Sequence, residues 1–204
     1  MWVVKVGGSL ADSATLLHWL EQLAQTDAII VPGGGPFAEE VRRMQAVWRF
    51  GDSTAHDMAI LAMRQYGLML AGLGGVGTFT SVAEFLADRQ RGQARVWLPL
   101  PENLNAVGIP GSWEITSDSL AAWLAGELKA EHLLLVKSVA LGENRSACER
   151  LMADGVIDQA FKEFSRNVPF RSWICGREGH PELAYALQHP AQHFIPISHG
   201  CPDV

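Results

Sequence analysis

The chain has 204 residues, of which 48% are hydrophobic and 19% charged, with a net charge of −6. That is enough for one substantial domain with an ordinary core, and it excludes a disordered chain. No run of five basic residues occurs, so a nucleic-acid partner has little electrostatic support.

Trp2 to Val6 is short, β-branched and apolar and stops at Gly7-Gly8, which predicts a buried strand. Asp12 or Ser13 is placed to cap a helix carrying Leu16, Leu17, Leu20 and Leu23. Ala28 to Val31 is a second buried strand, stopped by Pro32 and Gly33-Gly34-Gly35. Phe37 to Trp48 reads as a helix with Val41, Met44 and Val47 on one face. Ser53 is a good cap for a longer helix with Met58, Leu61 and Met63 on its apolar side, ended or bent at Gly67.

Val96 to Leu100 and Leu133 to Lys137 read as further strands. Between them Thr116 or Ser117 caps a helix over Asp118 to Lys129. A short helix over Ile157 to Phe164, late strands at Ser172–Cys175 and Phe194–Ile197, and a helix from His180-Pro181 to Gln188 complete the chain. Continuous apolar strands with helices between them predict an α/β fold: a mainly parallel central sheet in a three-layer sandwich.

Cys148, Cys175 and Cys201 are few, scattered and without a Cys-x-x-Cys pair, as expected of reduced thiols in a cytoplasmic protein. The N-terminus lacks the apolar core of a signal peptide, and no stretch approaches the ~20 apolar residues of a membrane span. His189, His193, His199 and Cys201 crowd the C-terminus, but their spacing fits no zinc pattern, and no residue is assigned as a metal ligand.

Three glycine clusters carry the chemistry. Lys5-Val6-Gly7-Gly8-Ser9 ends the first strand, where backbone N–H groups, the Ser9 hydroxyl and the Lys5 ammonium can face an anion. Gly33-Gly34-Gly35 repeats the arrangement after the second strand, so both turns are expected to face one crevice beyond the strand ends. Neither is a Walker loop. Gly72-Leu73-Gly74-Gly75-Val76-Gly77 satisfies G-x-G-x-x-G, and a strand over Leu68–Ala71 would make it a dinucleotide turn. The run before Gly72 reads more naturally as the tail of the long helix.

Val4-Lys5-Val6-Gly7-Gly8-Ser9 resembles the opening motif of amino acid kinases, and Ile29 to Gly35 resembles their second glycine turn. Ile115-Thr116-Ser117-Asp118-Ser119-Leu120-Ala121, followed by Leu133 to Val139, resembles their acidic motif and nucleotide-site strand. His56-Asp57-Met58-Ala59-Ile60-Leu61-Ala62-Met63 and the small size resemble the branch that phosphorylates an aminomethylfuran-methyl phosphate in methanopterin-type cofactor synthesis. Isopentenyl phosphate kinase and uridylate kinase are more distant relatives.

The resemblance implies a carbamate kinase-like fold over residues 1–204, with an acceptor part over about 1–110 and a nucleotide part over about 111–204. It implies ATP and Mg2+ as cofactors, a small anionic acceptor and a homo-oligomer, with no nucleic-acid or membrane partner. Lys5, Asp118 and Lys137 become the catalytic set, with Asp118 holding the lysines. Gly7, Gly8, Ser9, Ser117 and Ser138 become phosphate and nucleotide contacts, and Gly33, Gly34, Gly35 and His56 acceptor contacts.

The family's Gly-Gly-Met-x-x-Lys segment is missing from the Gly142–Gly155 region, which leaves Lys137 or Lys162 as the second cation. Each residue also has a plainer reading. Asp118 in a first helical turn serves the helix dipole alone, and Lys137 at a strand end is an ordinary solvated lysine. His56 and Asp57 point different ways on a helix, so His56 reads first as a capping or surface residue. The alternatives to a working kinase are a nucleotide-binding or regulatory module of the same fold and an NAD-dependent oxidoreductase built on Gly72–Gly77.

Overall fold

In the computed structural model, which describes residues 1–88, 92–138, 147–166 and 168–198, the apolar runs form a seven-stranded sheet. The strands are β1 (Trp2–Val6), β2 (Ile29–Pro32), β3 (Gly77–Phe79), β4 (Arg95–Trp97), β5 (His132–Lys137), β6 (Arg171–Gly176) and β7 (Ile195–Pro196). Their order is β3-β4-β2-β1-β5-β6-β7, and only β7 runs antiparallel to its neighbour. The helices are α1 (Leu16–Leu23), α2 (Gly35–Trp48), α3 (Asp52–Gly74), α4 (Val82–Ala87), α5 (Pro101–Ala106) and α6 (Ser117–Glu127). After β5 come α7 (Cys148–Ala153), α8 (Phe161–Ser165), α9 (Leu183–Gln188) and α10 (Pro190–His193).

Alternation along the strands sorts the core into two layers. Val3, Ile29, Leu133 and Leu135 pack beneath α6 and α8, while Val4, Val6, Ile30, Leu134 and Val136 pack beneath α1, α9 and the end of α3. A sheet covered on both faces is what makes its central strands continuous apolar runs. Because Lys5 shares its face with Val3, and Lys137 shares its face with Leu133 and Leu135, both lysines emerge on the α6 side at the carboxyl edge. The chain steps from β1 to β2 in one direction and later places β5 on the other side of β1. The two lysine strands therefore flank the switch point, where open α/β sheets bind their ligands.

Several sequence expectations are corrected. The long helix starts at Asp52 behind Gly51, not behind a Ser53 cap. It passes through Gly67 to Gly74. A Cβ at Gly67 would lie 2.7 Å from Leu98 Cδ2 and 3.1 Å from Pro32 Cγ, so the glycine is there for close packing on β2 and β4 and does not stop the helix. Leu61 on α3 and Val47 on α2 are exposed, whereas Ile60, Met63, Tyr66 and Leu70 are among the buried residues of α3, and Ala38 and Val41 are buried on α2.

The cap of α1 is Thr15, with Ser13 Oγ accepting the Thr15 amide. The helices expected from Ile157 and from His180 start later, at Phe161 and Leu183, and the strand expected to reach Leu100 ends at Trp97. Leu68–Ala71 is helical, so no strand precedes Gly72, and the glycine cluster is the C-terminus of α3, capped by the left-handed Gly75. The dinucleotide reading loses its required strand–turn–helix context. Among the described residues no helix is long and apolar enough to cross a membrane.

Candidate active site

Two turns meet at the carboxyl edge. β1 and β2 run in parallel register, Val6 beside Pro32, so Gly7-Gly8 and Gly33-Gly34-Gly35 leave the sheet side by side. The contact is backbone on backbone: a Cβ on Gly8 would lie 2.3 Å from the Gly35 nitrogen, and one on Gly33 would lie 2.3 Å from the Gly8 nitrogen. Gly35 adopts φ +56 against the Tyr66 ring, a conformation glycine takes without steric cost.

The turns open into a cleft of about 200 Å3 lined by Gly8, Ser9, Gly34, Gly35, His56 and Ser117 among others. Three N-termini converge there: the 3-10 turn Gly8–Leu10, α2 and α6. Neither α2 nor α6 has a side-chain cap from its own N-cap residue. Helix starts offer N–H donors and a positive dipole end, which suits an anion; at α6 the Thr116 and Ser119 amides already donate to Asp158.

Beside the cleft, Asp118 joins two lysines. Lys5 Nζ lies 2.9 Å from Oδ1, and Lys137 Nζ donates to Oδ2 at 2.6 Å. All three side chains are largely buried, at 6%, 12% and 5% exposure for Lys5, Lys137 and Asp118. Burial alone would raise the Asp118 carboxyl, but the charges of Lys137 and Lys5 outweigh it and hold the group at about 2. Burial pushes the Lys137 ammonium down to about 8, against the attraction of Asp118 and with the repulsion of Lys5. A buried carboxylate shared by two lysines leaves one net positive charge, which would attract a phosphate at the strand ends. Neither Lys137 nor Asp118 fits its plainer reading as a solvated or merely dipole-serving residue.

Other expected residues are placed as follows. Ser9 is exposed on the cleft rim, whereas Gly7 and Gly33 lie buried beneath it. Ser117 faces the same cleft as the second glycine turn, while Ser138 follows β5 half-buried and outside the cleft lining. His56 is 3% exposed, which corrects its reading as a surface or capping residue. Its Nδ1 lies 3.0 Å from the Ser112 carbonyl, so Nδ1 carries the proton and donates, and Nε2 has no hydrogen-bond partner among the described residues. Burial holds the imidazole below its usual value, against the Ser112 carbonyl and Asp57. Lys162 pairs with Glu149 at 2.6 Å on the surface, which leaves Lys137 as the lysine joined to Lys5 through Asp118.

The sequence reading missed the outer wall. Arg42, one face of α2, lies with its guanidinium 4.3 Å from the Trp113 ring centroid, and Trp113 Nε1 donates to Gln45 at 2.8 Å. Arg42 and Trp113 both line the cleft. Their separation along the chain hides the pairing, and only the helical face shared by Ala38 and Arg42 hints at it. His189 and His193 pack around Tyr185, with ring centroids 4.3 and 5.6 Å away. His199, Cys201 and the 142–146 part of the Gly142–Gly155 region lie outside the described residues.

Residues 1–140 match the model of the amino acid kinase family. A [5-(aminomethyl)furan-3-yl]methyl phosphate kinase of Methanocaldococcus jannaschii is 29% identical over 143 residues, covering 68% of this chain and 66% of that protein, just under two thirds of its length. In fold, the chain is similar to UMP kinase from Ureaplasma parvum, with a TM-score of 0.72 at 14% identity over 97% of this chain and 98% of that one. It is also similar to UMP kinase from Bacillus anthracis, with a TM-score of 0.67 at 15% identity over 95% and 92%.

Proposed function

We propose that this chain, which belongs to the amino acid kinase family, is a kinase that moves the γ-phosphoryl of ATP onto the phosphate of a small monoester, an aminomethylfuran-methyl phosphate. The observation that carries this reading is the Lys5–Asp118–Lys137 group at the ends of β1 and β5, beside two abutting glycine turns. The acceptor class is supported by the relative of that name.

In this reading an oxygen of the acceptor phosphate attacks the γ-phosphorus, the bond from that phosphorus to the β-phosphate oxygen breaks, and ADP leaves. A phosphate oxygen is already nucleophilic, so the protein's work is positioning and charge stabilisation. Two unit charges ~4 Å apart repel by ~4 kcal/mol at an effective dielectric of ~20, and each phosphate carries more than one. Lys5 and Lys137 offset that repulsion, while the amides of Gly8, Gly34 and Gly35 hold the transferring group. Asp118 keeps both ammoniums in place. Ser9 and Ser117 add hydroxyl donors on the cleft wall, and Ser138 lies on the nucleotide side.

Among the described residues no three His, Cys, Asp or Glu side chains converge. The donor set therefore suits an Mg2+ carried on ATP phosphates and water rather than caged by protein. When bound, that ion would offset phosphate charge alongside Lys5 and Lys137. The regulatory-module alternative arose from the missing Gly-Gly-Met-x-x-Lys segment. The Lys137–Asp118 pair favours catalysis because it supplies a second cation from another strand.

The test is ADP release with Mg2+ and ATP across aminomethylfuran-methyl phosphate, isopentenyl phosphate, UMP and acidic amino acids. Turnover is expected with the first. Turnover confined to another acceptor would replace the substrate, and ATP binding without any turnover would favour the regulatory module.

A further inference from the structure

Asp158 lies between α7 and α8, 39 to 42 residues from the groups it binds. Its Oδ2 accepts the Thr116 amide at 2.9 Å, the Thr116 hydroxyl at 2.8 Å and the Ser119 amide at 3.0 Å. Its Oδ1 accepts the Ser119 hydroxyl. The same loop is tied to the segment before α6 by the Ala160 amide, which donates to the Glu114 carbonyl at 3.2 Å. Thr116, the residue at the N-cap position, makes no cap of its own and spends its hydroxyl on Asp158. The helix is thus capped by a carboxylate borrowed from a distant loop.

Asp118 sits between the two residues that Asp158 grips. If Thr116 and Ser119 shift, the turn that aims Asp118 at Lys5 and Lys137 shifts with them. Asp158 also acts at a distance. Three charged groups act on Lys137 among the described residues: Asp118 from α6, Lys5 from β1 and Asp158 from this loop. Asp118 is shared between two lysines, so the second carboxylate matters to the charge balance. By taking the Thr116 and Ser119 amides, Asp158 also occupies one side of the α6 N-terminus and leaves Ser117 on the cleft side.

We propose that Asp158 is a positioning residue for phosphoryl transfer: it locks the first turn of α6 so that Asp118 holds both lysines. Its negative charge also favours the Lys137 cation. This rests on the kinase reading above. The competing explanation is a helix cap that contributes stability and nothing else.

Two readouts separate them. The first is the titration of Lys137 by side-chain NMR in a protein with only four lysines, which needs no acceptor. The second is kcat and its alkaline limb. In Asp158→Asn, Lys137 loses a favourable negative neighbour. Its cation form then gives way at lower pH, and the alkaline limb of kcat moves the same way. Near pH 8, kcat is expected to fall by about tenfold while the KM for ATP stays within about threefold. Asp158→Glu keeps the charge and should keep the Lys137 titration.

Ser81→Ala is the comparison for plain cap loss, because Ser81 Oγ accepts the Glu84 amide at 3.1 Å at the start of α4. It should lower the melting temperature and leave both readouts at wild-type values. If either the Lys137 titration or kcat of Asp158→Asn stays at the wild-type value, the proposal is overturned. Should Asp158→Asn fail to fold, Ser119→Ala takes its place. It removes one donor to Asp158 and keeps the charge, so kcat should fall with the titration unmoved, and an unchanged kcat overturns the proposal. Wild-type protein inactive on every acceptor would count against the acceptor assignment and leave the Lys137 titration to judge Asp158.

Discussion

Lys5→Met should lower kcat by about a hundred- to a thousandfold, the loss typical of removing one preorganised electrostatic partner from a transition state. Methionine keeps most of the apolar stem of a side chain that is only 6% exposed, so little packing is lost. Asp118 keeps its hydrogen bond from Lys137 at 2.6 Å, so the buried carboxylate is not orphaned. The urea midpoint should therefore move by far less than the activity does. A variant with wild-type kcat would remove Lys5 from the site. A variant that unfolds in proportion to its lost activity would make Lys5 a structural residue.

Gly8→Ala should do comparable damage by a different route. The new methyl would lie 2.3 Å from the Gly35 nitrogen and 2.8 Å from its Cα, both backbone atoms that cannot rotate away. The two turns must separate, at a cost of about 1–3 kcal/mol or more in stability. Separation also pulls the Gly34 and Gly35 amides off target, so a kcat loss of at least about a hundredfold is expected, since misplacement by about 1 Å is enough. Gly72→Ala is the internal contrast. Beyond its own stretch of helix backbone, no atom of the described residues lies within 4 Å of its added Cβ, and the residue is inside α3. It should stabilise the protein by up to about 1 kcal/mol and leave activity alone. Loss of activity in Gly72→Ala with full activity in Gly8→Ala would place the working glycines in the third cluster.

The central strands were legible because burial on both faces leaves an unbroken apolar run, as in Leu133 to Val136. The glycine turns were legible for a similar reason, since two such clusters follow two such runs. Edge elements were not: β3 has only three residues, two of them exposed, and leaves almost no pattern. Gly67 misled because a glycine in a helix ordinarily marks a weak point, whereas here neighbouring side chains demand the missing Cβ.

Lys5 stood out beside the first glycine turn, but Asp118 and Lys137 stood out only through motif resemblance, because the proximity of the three depends on strand order and side-chain facing, which local patterns do not encode. His56 looked like a surface residue because nothing local reports that α3 is covered on that side by the segment carrying Ser112. Asp158 was passed over for a related reason. Caps are sought next to the helix they serve, and this one arrives from about forty residues downstream.

The central claim is that a phosphoryl group passes from ATP to an acceptor phosphate at the Lys5–Asp118–Lys137 group. The most direct measurement is 31P NMR of the protein with Mg2+, ATP and aminomethylfuran-methyl phosphate. Coupled resonances of a new diphosphate ester are expected to grow in step with ADP, and both to grow at least about a hundredfold more slowly with Lys5→Met. Inorganic phosphate appearing with ADP while the acceptor resonance stays unchanged would contradict it.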